Sequence, residues 1–506
     1  MALNLTSRVQ VSASRFWNKR NAAALSHHGV RLDYDPESRR AAALILGFTL
    51  TVVAVGIMFL MAWFKPSGQV GQSKILADRD TGAIYVVVDG RLHPALNLMS
   101  ARLIAGENAN PTFVTPAELE KFPQAPTVGI PGAPTQMPVR TGASSQWALC
   151  DTAPTATAMA SAPARPVVTA IAGALSLGQR SAPLQMPNAV LARHNDKTYV
   201  IWDGHRSEID LSNKSVALAL GIDSSAPQPI PLSTALFDAI PATDPLTSPA
   251  IPNAGAPSPW NLGPGVVIGS VVTVHDLTQP AADAFYVLLP TGVQRISPFV
   301  ATLLRSANSF GDVAPVPLSP DALAPVPTVD SLPVSFYPTT RLHLVDTTVD
   351  TTTCLAWSKG ASDRAAEVSV LSGQGLPIPA TADSRLVHLV KDATPDLTSV
   401  EADQVSIAPG ATNLVLSTSA APTSTSKESL WWISDQGVRF GIDLDQRALE
   451  SLGVSPPSAG QAPWPLIRVY AAGPALSRSD AMTQHDSLTP VGGAEPLVTQ
   501  TPGGSP

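Results

Sequence analysis

Residues Ala41 to Phe64 read AAALILGFTLTVVAVGIMFLMAWF, 24 positions without a charged side chain, and no other uncharged apolar stretch of the chain approaches that length. As an α-helix this run is about 36 Å long, against a bilayer hydrocarbon core of roughly 30 Å, so it spans with some tilt. A buried core helix fits less well, because Arg39 and Arg40 on one side and Lys65-Pro66 on the other give the run sharp boundaries. A cleaved signal peptide has a shorter apolar region and a small-residue cleavage site, and here some 40 residues precede the run.

Orientation follows from the basic residues. Arg8, Arg15, Lys19, Arg20, Arg31, Arg39 and Arg40 lie before the span, with Lys65 just after it, which places the N-terminus in the cytoplasm. Trp63 falls at the outer boundary, where an indole can keep its body in lipid and its N–H among headgroups. Within the span Ala43, Gly47 and Thr51 recur every fourth residue, the small-residue spacing that lets membrane helices approach closely. Ahead of it, Val9, Ala13, Phe16, Trp17 and Ala24 at helical spacing, interleaved with Arg8, Arg15, Lys19 and Arg20, predict a basic amphipathic helix. Arg8, Phe16, Trp17 and Arg20 are its candidate contact residues, for anionic lipid or for a cytoplasmic partner.

Beyond the span the chain turns acidic. Residues 1–40 carry seven Lys/Arg and three Asp/Glu; with 32 and 39 in all, 25 basic and 36 acidic side chains remain for residues 41–506, a net of −11. That charge gives no footprint for nucleic acid, which needs clustered Lys and Arg. Pro 49 and Gly 34 with 14% charged residues favour short strands joined by turns over a helical bundle. The two cysteines, Cys150 and Cys354, both lie beyond the span, where an oxidising compartment preserves a disulfide. One bridge is expected, the alternative being two unpaired buried thiols. It would close a loop of roughly 200 residues, for which the chain-entropy model gives about 5 kcal/mol as an upper figure.

One unit appears four times: an aromatic-bearing β run, a turn, a second run and a short helical pattern. Its copies run Ala83–Leu92 with Asn97–Ile104, Thr198–Arg206 with Ser212–Ile222, Phe285–Gln294 with Ser297–Leu304, and Trp431–Phe440 with Asp445–Val454. Asp89-Gly90, Asp203-Gly204 and Gln436-Gly437 supply the positive-φ residues of tight turns. A second helical start follows each copy, at Thr115-Pro116, Ser233-Thr234, Ser319-Pro320 and Ser477-Arg478. Tyr85, Tyr199, Tyr286 and Trp432 are separated by 114, 87 and 146 residues, and the longer gaps contain Cys150 and Cys354.

The reading is α+β, mainly β: a cytoplasmic helix, one transmembrane helix, then a periplasmic propeller-like array of four small αβ repeats around a central disulfide-stapled domain. The boundaries are 1–40 cytoplasmic, 41–64 transmembrane, 65–134 first repeat, 135–189 central domain, 190–262 second repeat, 263–341 third repeat, 342–428 central domain again, 429–488 fourth repeat and 489–506 disordered tail. Repeats of this kind bury a shared core and present loops, which suits a scaffold.

Chemistry is sparse. There is no G-x-x-x-x-G-K-[ST], G-x-S-x-G, H-E-x-x-H or Cys/His metal spacing. Gly129-Ile130-Pro131-Gly132-Ala133-Pro134 lacks a lysine and has prolines that cannot donate, so it reads as a turn between repeat and core. The histidines are scattered, which favours structural or solvated roles. No catalytic, cofactor or metal residue is assigned.

Several of these segments resemble the EccB family. They are Arg8-Val9-Gln10-Val11, Leu92–Leu103, Gly129–Pro134, Trp147-Ala148-Leu149-Cys150-Asp151, Ile251–Gly255, Trp432–Gly441 and Leu476–Ala481, in order along nearly the whole chain. Trp202-Asp203-Gly204, Ile209-Asp210-Leu211 and Cys354–Lys359 look most like the member from the iron-linked ESX system. The resemblance implies a structural subunit of the mycobacterial type VII secretion membrane complex, dimeric through its periplasmic part, with EccC, EccD, EccE and the mycosin protease as partners. The family also carries an ATPase label, which this sequence matches with no phosphate loop; an unconventional nucleotide site and a cell-wall-binding module are the alternatives.

Overall fold

The computed structural model describes residues 7–27, 36–64, 70–142, 144–154, 165–223, 226–275, 283–390 and 400–488. The tail 489–506 lies outside them. Two helices, Arg8–His27 and Pro36–Phe64, come first. The second contains an apolar stretch, Ala41–Met61, long enough to cross a membrane, and none of it is buried by the rest of the chain.

The remainder is built from five principal sheets. Four are small and share one connectivity. In the first, Ile75–Asp78, Ile84–Val88 and Arg91–Pro94 form an antiparallel meander, the helix Leu98–Ala105 crosses over, and Thr112–Val114 returns parallel to Ile75–Asp78. The same path is taken by Asn188–His194, Lys197–Trp202, His205–Ile209, helix Lys214–Leu220 and Ile230–Pro231. Val271–His275, Asp283–Leu289, Gly292–Ile296, helix Pro298–Ala307 and Val316–Leu318 repeat it, as do Leu414–Thr418, Leu430–Ile433, Val438–Ile442, helix Gln446–Leu452 and Gly460–Pro463. The sequence pattern marks each hairpin and helix but not the strand ahead of the hairpin. Leu414–Thr418, which the spacing places in the second central segment, is that strand of the fourth sheet.

Local chemistry explains the repetition. Each crossover helix starts at a side chain that accepts a backbone N–H of its first turn: Asn97 from Ser100, Asn213 from Ser215, Ser297 from Val300, and Asp445 from Arg447 and Ala448. Such a cap contributes about 1 kcal/mol. The turns Asp89-Gly90 and Asp203-Gly204 have positive φ at both residues, and Gly437 has φ 77°. The third hairpin differs: Pro290-Thr291 makes its turn, and Gly292 is a strand residue where an added Cβ would overlap the Pro327 carbonyl oxygen.

The fourth copy also departs from expectation at its second helix. After the parallel strand Gly460–Pro463 the chain enters Trp464–Ile467, the counterpart of Pro116–Leu119, Thr234–Ala239 and Pro320–Leu323. The Ser477 start is real, with Ser477 accepting from the Asp480 N–H, but its helix Arg478–Ala481 lies against Leu98–Ala105 of the first sheet. Gln484–His485 then pairs with Thr127–Val128.

The fifth sheet is central and has seven strands, ordered Val387–His388, Gln404–Ile407, Val167–Ala172, Ser144–Thr152, Thr352–Gly360, Glu367–Gly373, Ser181–Pro183. Its apolar face shares one core with the second and fourth small sheets, through Trp147, Leu149, Leu355 and Trp357 on one side and Val190, Ile201, Leu236, Val415, Ile433 and Leu466 on the other. The second and third sheets share another core, and the first and fourth a third. Adjacency therefore runs first, fourth, centre, second, third. The expected propeller is corrected by this order: no closed barrel or propeller sheet is present among the described residues. Sequence repetition specifies like units, whereas their order in space is set by which apolar faces match.

Candidate interaction surfaces and the stapled core

The two cysteines are bonded to each other across adjacent antiparallel strands. The register pairs Cys150 with Cys354, Leu149 with Leu355, Ala148 with Ala356 and Trp147 with Trp357, so each residue meets its own kind. Alternation then sorts the faces: the tryptophans and leucines enter the main core, while the alanines and cysteines face a smaller cluster with Ile171, Leu371, Leu376 and Ile378. Trp147-Ala148-Leu149-Cys150 against Cys354-Leu355-Ala356-Trp357 is a reversed copy, a sequence mark from which this register was readable. The loop closed is 204 residues long, and both cysteines are fully buried.

Asp151, next in the strand, is 1% exposed. Its oxygens accept from the Ser233 N–H at 2.6 Å and the Ser233 hydroxyl at 2.8 Å. Burial pushes its carboxyl up to about 7, with the negative charge of Asp403 adding to the rise and the Ser233 bonds opposing it. In the sequence Asp151 is only the last residue of the Trp147–Asp151 segment, and nothing local marks it as a buried acid.

The Gly129–Pro134 segment contains the expected turn, at Pro131-Gly132, where the Ala133 N–H donates to the Ile130 carbonyl and Gly132 has φ 76°. The Gly129 N–H donates to the Thr483 carbonyl, the Gly129 carbonyl is bonded by His485 Nε2 at 2.8 Å, and Ile130 N–H donates to Ser100 Oγ. Asn97 Nδ2 donates to the Ile130 carbonyl. The N–H groups of Gly129 and Ile130 are thus occupied in clasping the C-terminal segment onto the first sheet's helix. His93 and His194 likewise bond backbone carbonyls, of Pro126 and Leu232. Among the described residues no group of three His, Cys, Asp or Glu side chains is placed to hold a metal.

The two N-terminal helices present the opposite condition. Phe16 is 61% and Trp17 65% exposed, with the Arg20 guanidinium 5.4 Å from the Phe16 ring centroid and Arg8 exposed at the helix start. In the span Ala43, Gly47 and Thr51 are uncovered on one face, where Thr51 Oγ1 donates to the Gly47 carbonyl at 2.8 Å. Thr51 thereby satisfies its hydroxyl within the helix and leaves a shallow strip of small side chains. Among the described residues the large apolar side chains of both helices stay exposed.

Comparison with known proteins gives a consistent result. Residues 3–490 match the family model described as Type VII secretion system ESX-1, transport TM domain B. The ESX-2 secretion system ATPase EccB2 of Mycobacterium tuberculosis is 49% identical over 501 residues, 99% of each chain. The ESX-3 secretion system ATPase EccB3 of Mycolicibacterium smegmatis is 39% identical, covering 96% of this chain and 91% of that one. A chain in the structure of an intact ESX-5 inner membrane complex superposes with a TM-score of 0.74 at 36% identity, over 99% of both chains. The EccB3 dimer from the ESX-3 core complex gives 0.69 at 37% identity, covering 81% of this chain and all of that one. The expected affinity for the iron-linked member is not supported, since the ESX-2 relative is more similar. The residues that suggested it are fixed by the fold: Asp203-Gly204 is a hairpin turn, Trp202 Nε1 donates to Ser207, and Cys354–Trp357 lies in the central strand pair.

Proposed function

The chain belongs to the EccB family of type VII secretion membrane components, and from that membership we propose how it serves as a structural subunit of the secretion complex in the inner membrane. It crosses the membrane once, near its N-terminus, with the bulk of the chain following. The observation that carries the proposal is the contrast in coverage: the sheets complete their cores within the chain, while the two N-terminal helices leave their apolar residues bare.

The cytoplasmic helix, through Arg8, Phe16, Trp17 and Arg20, contacts a partner at the membrane face. The span packs a second membrane helix against Ala43, Gly47 and Thr51. The periplasmic part pairs with a second copy of this chain, as the relative solved as an EccB3 dimer does, and the four repeats with the central domain supply its rigid body. EccC, EccD, EccE and the mycosin protease are the proposed neighbours. The relatives' names contain the word ATPase, but no Walker-type phosphate loop stands in this sequence.

Extraction of the tagged full-length chain in mild detergent, followed by native mass determination and identification of co-purifying chains, tests the reading. A large assembly containing those components is expected. A monomer free of them, with ATP turnover lost on mutating one pocket, would support the nucleotide reading instead, and retention on purified peptidoglycan the cell-wall reading.

A further inference from the structure

The apolar face of the central sheet ends in a polar row. Asp151 stands opposite Thr353, and Thr353 opposite Ser372, on three adjacent strands. Directly opposed residues of antiparallel strands share a face, so the three lie on the side that carries Leu149 and Leu355 into the main core. The hydroxyls of Thr353 and Ser372 have no hydrogen-bond partner among the described residues. Among the described residues Asp151 is bonded by Ser233, whose N–H and hydroxyl reach its two oxygens.

Ser233 is the N-cap of Thr234–Ala239, the helix that lays Ala235, Leu236 and Ala239 on the central core. Asp151 thus joins the disulfide-stapled strand pair to the second small sheet. The charged groups on the elements around it are engaged elsewhere. Asp403 accepts from the Val168 N–H and pairs with Arg165 at 2.8 Å, and Asp238 on the Ser233 helix pairs with Arg468 at 2.8 Å. Lys359 and Glu367 sit at the far end of the neighbouring strands. No cation in this set bonds Asp151. A buried carboxylate without a countercharge favours its neutral form, and the like charge of Asp403 adds to that preference.

We propose that Asp151 is a proton-operated joint between the central sheet and the second small sheet, seated when neutral and loosened when ionised. The sign follows from linkage. The folded value of about 7 lies above the ordinary 3.8, so the joint's contribution is complete below 3.8 and is lost as pH rises through about 7. Between pH 6 and pH 8 the equilibrium for opening the joint then rises about tenfold. The aspartates held low by hydrogen bonds, such as Asp78, Asp210 and Asp346, change below that window.

Hydrogen exchange of the full chain in detergent, read on the peptide covering 233–240 and corrected for intrinsic rates, measures the joint. Wild type is expected to lose about tenfold in protection between pH 6 and pH 8, while Asp151→Asn, which cannot ionise, stays flat. Equal slopes in the two proteins, or no slope in wild type, would overturn the proposal. Asp403→Asn gives an independent reading should Asp151→Asn fail to fold: it leaves the Asp151 carboxyl buried, so the loss of protection between pH 6 and pH 8 should persist, and its disappearance would assign the titration to Asp403 and reject the joint.

Discussion

Residues 8–64 and the sheet region obey the same hydrophobic rule with opposite outcomes. Leu44 and Phe48 in the span are 76% and 72% exposed, whereas Trp147 and Leu149 in the central strand are 1% and 0%. Apolar area removed from water is stabilising by roughly 25 cal/mol per Å² wherever it goes. The sheets remove theirs inside the chain. The helices leave theirs exposed among the described residues, so the sheet region carries the chain's own stability.

Substitutions should separate the two roles. Trp147→Ala empties the middle of the shared core and should cost about 3–5 kcal/mol, read as a fall in the unfolding temperature of the detergent-purified chain with membrane insertion unchanged. Replacing Cys150 and Cys354 together by Ala should cost about 2–5 kcal/mol; an unchanged unfolding curve would mean that strand pairing alone holds the central sheet. Val53→Arg, near the middle of the span, should cost about 3 kcal/mol of insertion, shifting chain out of the membrane fraction while soluble-region unfolding stays put. Asp445→Ala removes one helix cap and should lower stability by about 1 kcal/mol.

The smallest effect on the isolated chain should come from Gly47→Leu, since nothing lies within 4 Å of an added Cβ there. Stability is expected to stay within about 0.5 kcal/mol, while recovery of the partner chains drops. If that recovery is unaffected, the small-residue strip is not a packing face. Such a result would leave lipid as the sole cover of the span.

Much of the fold could be read in advance, and the failures have physical causes. Asp89-Gly90 and Asp203-Gly204 announce their hairpins because two successive positive φ angles exclude most residues. Pro290-Thr291 makes a hairpin without that mark, and its glycine serves close approach to Pro327 instead. Leu476-Ser477 looks like a repeat element because a capping serine looks the same in any context, whereas Trp464, the true counterpart, follows Pro463 with no capping side chain. Arg8, Phe16, Trp17, Arg20, Ala43, Gly47 and Thr51 stand out by spacing alone, and the fold leaves Phe16, Trp17, Ala43, Gly47 and Thr51 exposed. Asp151 was invisible because its character comes from burial and from Ser233, 82 residues away.

By itself, then, the sequence determined the single span and its direction, the β-rich repeats and the crossover helices, since each depends on residues a few positions apart. Only the tertiary structure decided that the repeats form an open order instead of a ring and that one aspartate is sealed in the core. Those outcomes depend on which distant faces exclude water together, a quantity that no local stretch of sequence contains.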